Sequence, residues 1–228
     1  MSDLILNNTR LLIGSTGKLL RARPIIVPAN SKFGPLYNWY AATGGTFVSG
    51  WHVPTAQEVF TLQSNVGGQP TGGGHLKETG YLHWNSPNTG ADNSSGFNLR
   101  GTGARGYDGV YRYLMTYGGF WTSNVYYGMH YNVLTSYNND DFNVSDEFLA
   151  CGHPIRLLCD SSTDPGFVDI DGYRYNTVKI GTQVWLAENL KAQHYADGSP
   201  IPEVTGNSAW ASLTTPGLCA YNNDWTNV

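Results

Sequence analysis

Between residues 72 and 105 the chain runs through Gly, Asn, Ser and Thr with no sustained apolar period, and Trp84, Phe97 and Leu99 are its spaced anchors. An irregular stretch of that length inside a compact domain has its own packing or its own function. It limits the fold to one in which loops, rather than long regular elements, cover much of the core.

Composition agrees. Charged residues are 13% of 228 residues, aromatics another 13%, and there are 28 glycines, which suits a loop-rich, strand-poor globular protein with few helices. A chain of this length forms one large domain or two small ones. A compact fold of this size buries roughly 70% of its unfolded surface, enough for a core without external staples. The formal charge of -4 argues against a broad nucleic-acid-binding face, which needs clustered Lys and Arg. The N-terminal segment is the exception, because Arg10, Lys18, Arg21, Arg23 and Lys32 face only Asp3 there. Such an arm either docks on an acidic partner or is simply solvated. The start has no basic segment followed by an apolar one, and no run is long enough to span a bilayer, so synthesis in the cytosol without export or membrane insertion is expected. Cys151, Cys159 and Cys219 are odd in number and lack metal-ligand spacing, so at most one disulfide can form.

Residues 1–32 read as extended strands or an arm. Thr55 and Glu58 have capping-box spacing and Gly67-Gly68 supplies a stop, which predicts a helix of about three turns from Val53 onward. Asp108-Gly109 is a hairpin-turn dipeptide. Short strands are expected over 111–117, 119–127 and 129–137, and a buried closing strand over 154–159. A polar linker follows at 160–166, then strands over 168–175 and 177–185 and a helical turn over 186–190. Gly72-Gly73-Gly74 lacks the Lys-Ser/Thr ending of a phosphate loop and reads as a flexible turn.

Several of these segments together resemble the Fibrobacter succinogenes major paralogous domain, a C-type-lectin-like family of Bacteroidetes and their phages. The family's opening half is matched by residues 168–190, with Trp185-Leu186-Ala187-Glu188-Asn189-Leu190 at its end, and then by Trp210, Thr214-Thr215-Pro216-Gly217 and Cys219-Ala220-Tyr221-Asn222-Asn223-Asp224. The closing half lies earlier, as Phe33-Gly34-Pro35-Leu36-Tyr37-Asn38-Trp39-Tyr40-Ala41, Gly50-Trp51-His52-Val53-Pro54-Thr55, Leu76-Lys77-Glu78-Thr79-Gly80, His83-Trp84-Asn85-Ser86-Pro87, Phe120-Trp121-Thr122-Ser123 and Ile155-Arg156-Leu157. The resemblance implies an α+β, C-type-lectin-like fold with short antiparallel strands and one or two short helices. The two halves stand in reversed order: residues 33–160 correspond to the C-terminal half and 168–228 to the N-terminal half, joined by a linker at 161–167. One domain over 33–228, circularly permuted, is the expected organisation, with a swap between identical chains or two truncated domains as alternatives. Where many members have paired cysteines, this chain has Phe47 and Leu157, so apolar packing replaces a disulfide.

No chemistry-bearing constellation stands out. His52, His75, His83, His130, His153 and His194 are scattered, none at recognisable catalytic or metal spacing to Cys, Asp or Glu, and His52 and His83 read as hydrogen-bonded structural groups. Asp169, Asp171 and Gly172 lack the remaining acidic ligands of a calcium loop and read as a turn. The carbohydrate-and-calcium tripeptides of animal lectins are missing. No catalytic residue, metal or cofactor is expected. The related formylglycine-generating fold works through cysteines, but Cys151 and Cys159 flank a strand rather than match that site.

The suggestive region is 107–145, where Tyr113, Tyr117, Asn124, Tyr126, Tyr127, His130, Tyr131, Asn132, Tyr137, Asn138, Asn139 and Asp140 crowd together. Tyr gives rigid contact area at low entropy cost and Asn gives adaptable hydrogen bonds, as in antibody loops. These residues either form a ligand face or pack on the loop core and satisfy turns. The expected function is that of a non-enzymatic phage virion protein, a capsid- or tail-attached fibre or decoration protein. Residues 1–32 would join it to other virion proteins or to further copies in a homo-oligomer, and the lectin-like domain would meet a host-surface glycan or protein. A bacterial surface or secreted ligand-binding module is the competing expectation.

Overall fold

The computed structural model describes residues 3–6, 9–13 and 19–24 by their backbone, together with residues 32–126 and 129–228. The first three segments, β1 (Asp3–Leu6), β2 (Thr9–Ile13) and β3 (Leu19–Pro24), form an antiparallel meander in the order β1-β2-β3. Next come β4 (Leu36–Tyr37), α1 (Trp39–Thr43), β5 (Trp51–His52), α2 (Ala56–Asn65) and α3 (Gly72–Leu76). The middle of the chain gives β6 (Thr102–Arg105), β7 (Tyr111–Leu114), β8 (Tyr117–Tyr126), β9 (Met129–Ser136), β10 (Asn143–Asp146) and β11 (Leu158–Cys159). The last part holds β12 (Phe167–Val168), β13 (Arg174–Tyr175), β14 (Thr177–Ile180), β15 (Gln183–Leu186), α4 (Asn207–Ala211) and β16 (Leu218–Cys219). The architecture is α+β, loop-rich and antiparallel, with four short helices among the described residues where one or two were expected. None is long and apolar enough to cross a membrane.

Local sequence explains the best-formed elements. The Thr55 hydroxyl accepts the Glu58 N–H while the Glu58 carboxylate accepts the Thr55 N–H, so both halves of the capping box are made and α2 starts where its spacing predicts. Asp108-Gly109 turns the β6–β7 hairpin, with Gly109 at φ 81.

Two expectations give way to tertiary contacts. Residues 186–190 form no helical turn, because their amides are spent on other strands: Leu186 and Leu190 donate to the Leu157 and Ile155 carbonyls, and Ala187 to Asn176. Residues 72–74 are not a flexible turn but the buried start of α3. A Cβ on Gly73 would stand 2.1 Å from the Asp141 carbonyl oxygen, so only glycine lets these backbones approach. The closing strand over 154–159 contracts to Leu158–Cys159.

Residues before and after the polar stretch at 160–166 are interleaved. One sheet runs β14-β15-β11-β5, and β16 pairs with β4 through Leu218 opposite Tyr37 and Cys219 opposite Leu36. Three apolar clusters hold the molecule together, and each draws on both stretches. The first joins Tyr37, Trp51, Trp121 and Leu157 to Val184, Leu186 and Tyr195. The second joins Trp84, Phe97, Phe120 and Val133 to Ile180 and Trp185, and the third joins Leu36 to Trp210, Cys219 and Tyr221. All three cysteines are free and buried.

Candidate functional site

A cleft of about 270 Å³ opens where the β6–β7 hairpin meets the sheet β8-β9-β10. Gly103, Ala104, Tyr113, Tyr117, Gly118, Gly119, Leu134, Glu147 and His153 line it. The register places Tyr117, Gly119 and Trp121 opposite Ser136, Leu134 and Asn132, so these side chains share one face of β8–β9. On the other face Phe120 and Val133 enter the second apolar cluster. Gly119 has to be glycine because a Cβ there would meet the Val133 carbonyl oxygen at 1.9 Å.

Two tyrosines make the walls. The Tyr113 and Tyr117 rings stand at 85° with centroids 5.1 Å apart, and neither phenol hydroxyl has a hydrogen-bond partner among the described residues. Tyr113 takes φ 68, a left-handed conformation that costs a bulky residue energy, and it lies opposite Gly103, which β6 slips past without pairing. Strain of this kind is kept where the surroundings hold a side chain in a required place.

At the back of the cleft the Glu147 carboxylate accepts a hydrogen bond from His153 Nε2 at 3.0 Å and from the Phe148 amide at 3.0 Å. Burial works against its ionisation, but the His153 and Cys151 contacts outweigh this and hold its pKa below the ordinary value. The His153 ring sits edge-on to Trp121 at 4.9 Å, which fixes it from behind. Just outside, Phe148 is 64% exposed and packs on the exposed Tyr107 ring at 4.8 Å.

The twelve residues singled out in the sequence are therefore divided. Tyr113 and Tyr117 line the cleft. Asn132 is buried behind it, 3.3 Å from His153 Nε2. Asn124 caps α2 by accepting the Ala56 amide, and His130 packs against the Trp39 ring. Tyr131 lies in β9 with its carbonyl bonded to the Thr122 hydroxyl, and Tyr126 ends β8. Tyr127 lies outside the described residues. Tyr137, Asn138, Asn139 and Asp140 form a separate turn around Lys77: Tyr137 packs on the second cluster, Asn138 accepts the Ser136 hydroxyl, and the Asn139 carbonyl accepts the Lys77 ammonium. Glu147 and Leu134 were not singled out, and His153 was weighed only as one of the scattered histidines. Their only sequence signal was a strand register that brings Leu134 over Gly119.

Elsewhere four histidines are bonded internally. His52 is held on both ring nitrogens, by Asp160 at 2.5 Å and by Glu58 at 3.1 Å. His75 meets Asp92 and Ser94 through the same nitrogen, Nδ1, whereas a nucleophilic relay needs its two partners on opposite nitrogens. His83 pairs with Glu78, and His194 with Asp171. Asp169 accepts the Tyr173 amide and the Tyr175 hydroxyl, with burial raising its pKa to about 6, as befits a buried turn. Burial and the nearby Glu147 carboxylate push the Cys151 thiol well up, the opposite of activation. Among the described residues no three His, Cys, Asp or Glu side chains gather as a metal-binding group.

A family model, the Fibrobacter succinogenes major domain, matches residues 27–145, which include every residue of the cleft except Glu147 and His153. No curated protein and no solved structure matches the chain.

Proposed function

The chain belongs to the Fibrobacter succinogenes major domain family, and from that premise we propose that it is a non-enzymatic binding module displayed on a phage virion. In this reading a C-type-lectin-like domain over residues 33–228 presents the Tyr113–Tyr117 cleft to a host-surface component. Residues 1–32 attach the protein to other virion proteins or to further copies of itself.

The observation that carries the binding role is the contrast between the cleft and the rest of the molecule. Among the described residues the six histidines and three cysteines are buried, paired or packed, whereas Tyr113, strained and exposed, and the partly buried Tyr117 bring two unpartnered hydroxyls to a concave site. Preformed clefts with aromatic walls and few polar groups are what small binding sites look like. The permuted order of the domain is supported by the Phe33 amide bonding the Asn227 carbonyl at 2.9 Å and by the β4–β16 pairing, which bring the ends of 33–228 together within one chain.

Negative-stain microscopy of virions labelled with an antibody to this chain tests the display role. Label on capsid or tail is the expected result. Label absent from particles and present on bacterial envelopes overturns it in favour of a cell-surface module.

A further inference from the structure

Resting on the reading of the cleft as a binding surface, we propose that its ligand is a cation: the ammonium or guanidinium head of a basic side chain on a partner protein, held against the Tyr113 and Tyr117 rings with Glu147 as counter-charge.

Three observations converge on it. First, the two rings meet edge to face at 85°, so the cleft is walled by aromatic groups set at a right angle, and ring faces attract ammonium and guanidinium groups within about 6 Å. Second, the lining is short of hydrogen-bonding groups. Apart from the two phenol hydroxyls it holds Glu147 and His153, which are bonded to each other, and the rest is Gly, Ala and Leu. A sugar ring with a hydroxyl on most carbons would leave many of those groups unpaired, at a cost for each. A cation needs only the ring faces and one carboxylate, and that carboxylate is still partly solvent-exposed, at 24% of its side chain.

Third, the stretch that carries the cleft is acidic as a whole. Residues 33–228 contain eight Lys and Arg against sixteen Asp and Glu. Four of those cations, Lys77, Arg105, Arg156 and Lys191, are buried and contribute little to the outer field. Arg112 is tied to Asp108 and Arg100 to Glu78. Asp146 stands exposed immediately before Glu147. A field of this sign raises the local concentration of basic groups and lowers that of sialylated or phosphorylated ones.

The test is a titration of the intact, isotopically labelled chain followed by amide chemical shifts. The probes are N-acetyl-lysine methylamide and N-acetyl-arginine methylamide, with N-acetyl-glycine methylamide and methyl glucoside as neutral controls. Saturable shifts of the Gly103, Gly118 and Gly119 amides with the two cationic probes alone, weakening as salt is raised, are expected. Tyr117→Phe keeps the ring and should bind like the wild type. Tyr117→Leu and Glu147→Gln should each weaken binding about fivefold or more. Absence of saturable shifts with the cationic probes overturns the proposal, as does equal binding by Tyr117→Leu. Saturation by methyl glucoside, abolished in Tyr117→Leu, overturns the cation but leaves the cleft as the binding site. If no probe binds and adsorption of virions to host cells is unchanged in Tyr117→Leu, the cleft reading fails as well.

Discussion

Phe33 donates its backbone N–H to the carbonyl oxygen of Asn227 at 2.9 Å, so the two ends of the stretch 33–228 meet on adjacent backbones. A few residues further in, Leu36 pairs with Cys219. Chain ends this close can be joined without moving either strand. We therefore expect a rearranged chain, residues 168–228 joined by a short Gly/Ser linker to residues 33–160, to fold with the same circular dichroism spectrum and a melting temperature within about 4 °C of the same residues in native order. A rearranged chain that stays unfolded would show that the order of the two stretches is needed for folding.

Arg156 links those stretches from inside the core. It is fully buried, and its guanidinium donates to Asn189 Oδ1 at 2.6 Å and to the carbonyls of Phe97 (2.6 Å), Leu186 (2.9 Å) and Asn98 (3.0 Å), over the Phe97 ring. Burial lowers its pKa to about 9. Arg156→Met leaves three buried acceptors and a part-buried one without this donor, and urea unfolding should show a loss of about 3–5 kcal/mol. The same change at Arg112, whose ion pair with Asp108 is exposed, should leave the unfolding midpoint nearly unchanged. Equal losses at the two sites would mean that the acceptors around Arg156 find water.

The sequence made legible those parts of the fold in which one residue acts on its near neighbours. The Thr55–Glu58 box started a helix and Asp108-Gly109 turned a hairpin wherever the rest of the chain lay. It misled where a distant segment takes over the backbone. Residues 186–190 have helix-forming side chains, but the carbonyls of Ile155 and Leu157 claim their amides. The triple glycine at 72–74 looked loose because the need for it lies at Gly90 and Asp141, which no local pattern reveals. The candidate site divided for the same reason. Residues 113 to 140 cluster in sequence, yet β-pairing sends alternate side chains to opposite faces, and the cleft is completed by Glu147 and His153 from beyond the strands.

His52 and Glu58 give a pH signature. The Glu58 hydrogen bond, with burial opposing and Asp160 assisting, raises the His52 pKa above 6.5. Burial opposes ionisation of Glu58, but His52 and the Thr55 amide and hydroxyl outweigh it and bring its pKa to about 2. A lowered carboxylate stabilises the fold above its ordinary value of 4.5 and loses that contribution as pH falls toward 2. A raised histidine stabilises the fold below 6.5 and loses that contribution as pH climbs through its folded pKa. The pair thus contributes most between pH 4.5 and 6.5. Subtracting the stability of Glu58→Gln from that of the wild type across pH should give a difference that peaks there. Both groups are about a third exposed, so solvent screening keeps the peak below about 1 kcal/mol. A difference that keeps growing above pH 8 would contradict the assignment.

Lys77 does the work of a bound cation in the long irregular stretch. Its ammonium group, in a fully buried residue, points its three N–H bonds at the carbonyls of Thr89 (2.6 Å), Ser136 (2.9 Å) and Asn139 (2.7 Å). Each carbonyl comes from a different segment, so one charge ties the loop after α3 to the end of β9 and to the turn beyond it. Burial lowers the Lys77 pKa to about 8, and the nearby Asp140 carboxylate opposes that shift. Since the charge is covalently attached, a metal chelator should leave the melting curve unchanged. Lys77→Met should lower stability by about 3 kcal/mol, or roughly 6–12 °C, because three carbonyls that faced a cation then face a thioether. Amide exchange should locate the loss at residues 74–92 and 136–141 before the rest of the fold opens. A chelator-dependent melt of the wild type would instead place a metal ion in charge of this loop, and Lys77→Met would then be nearly silent.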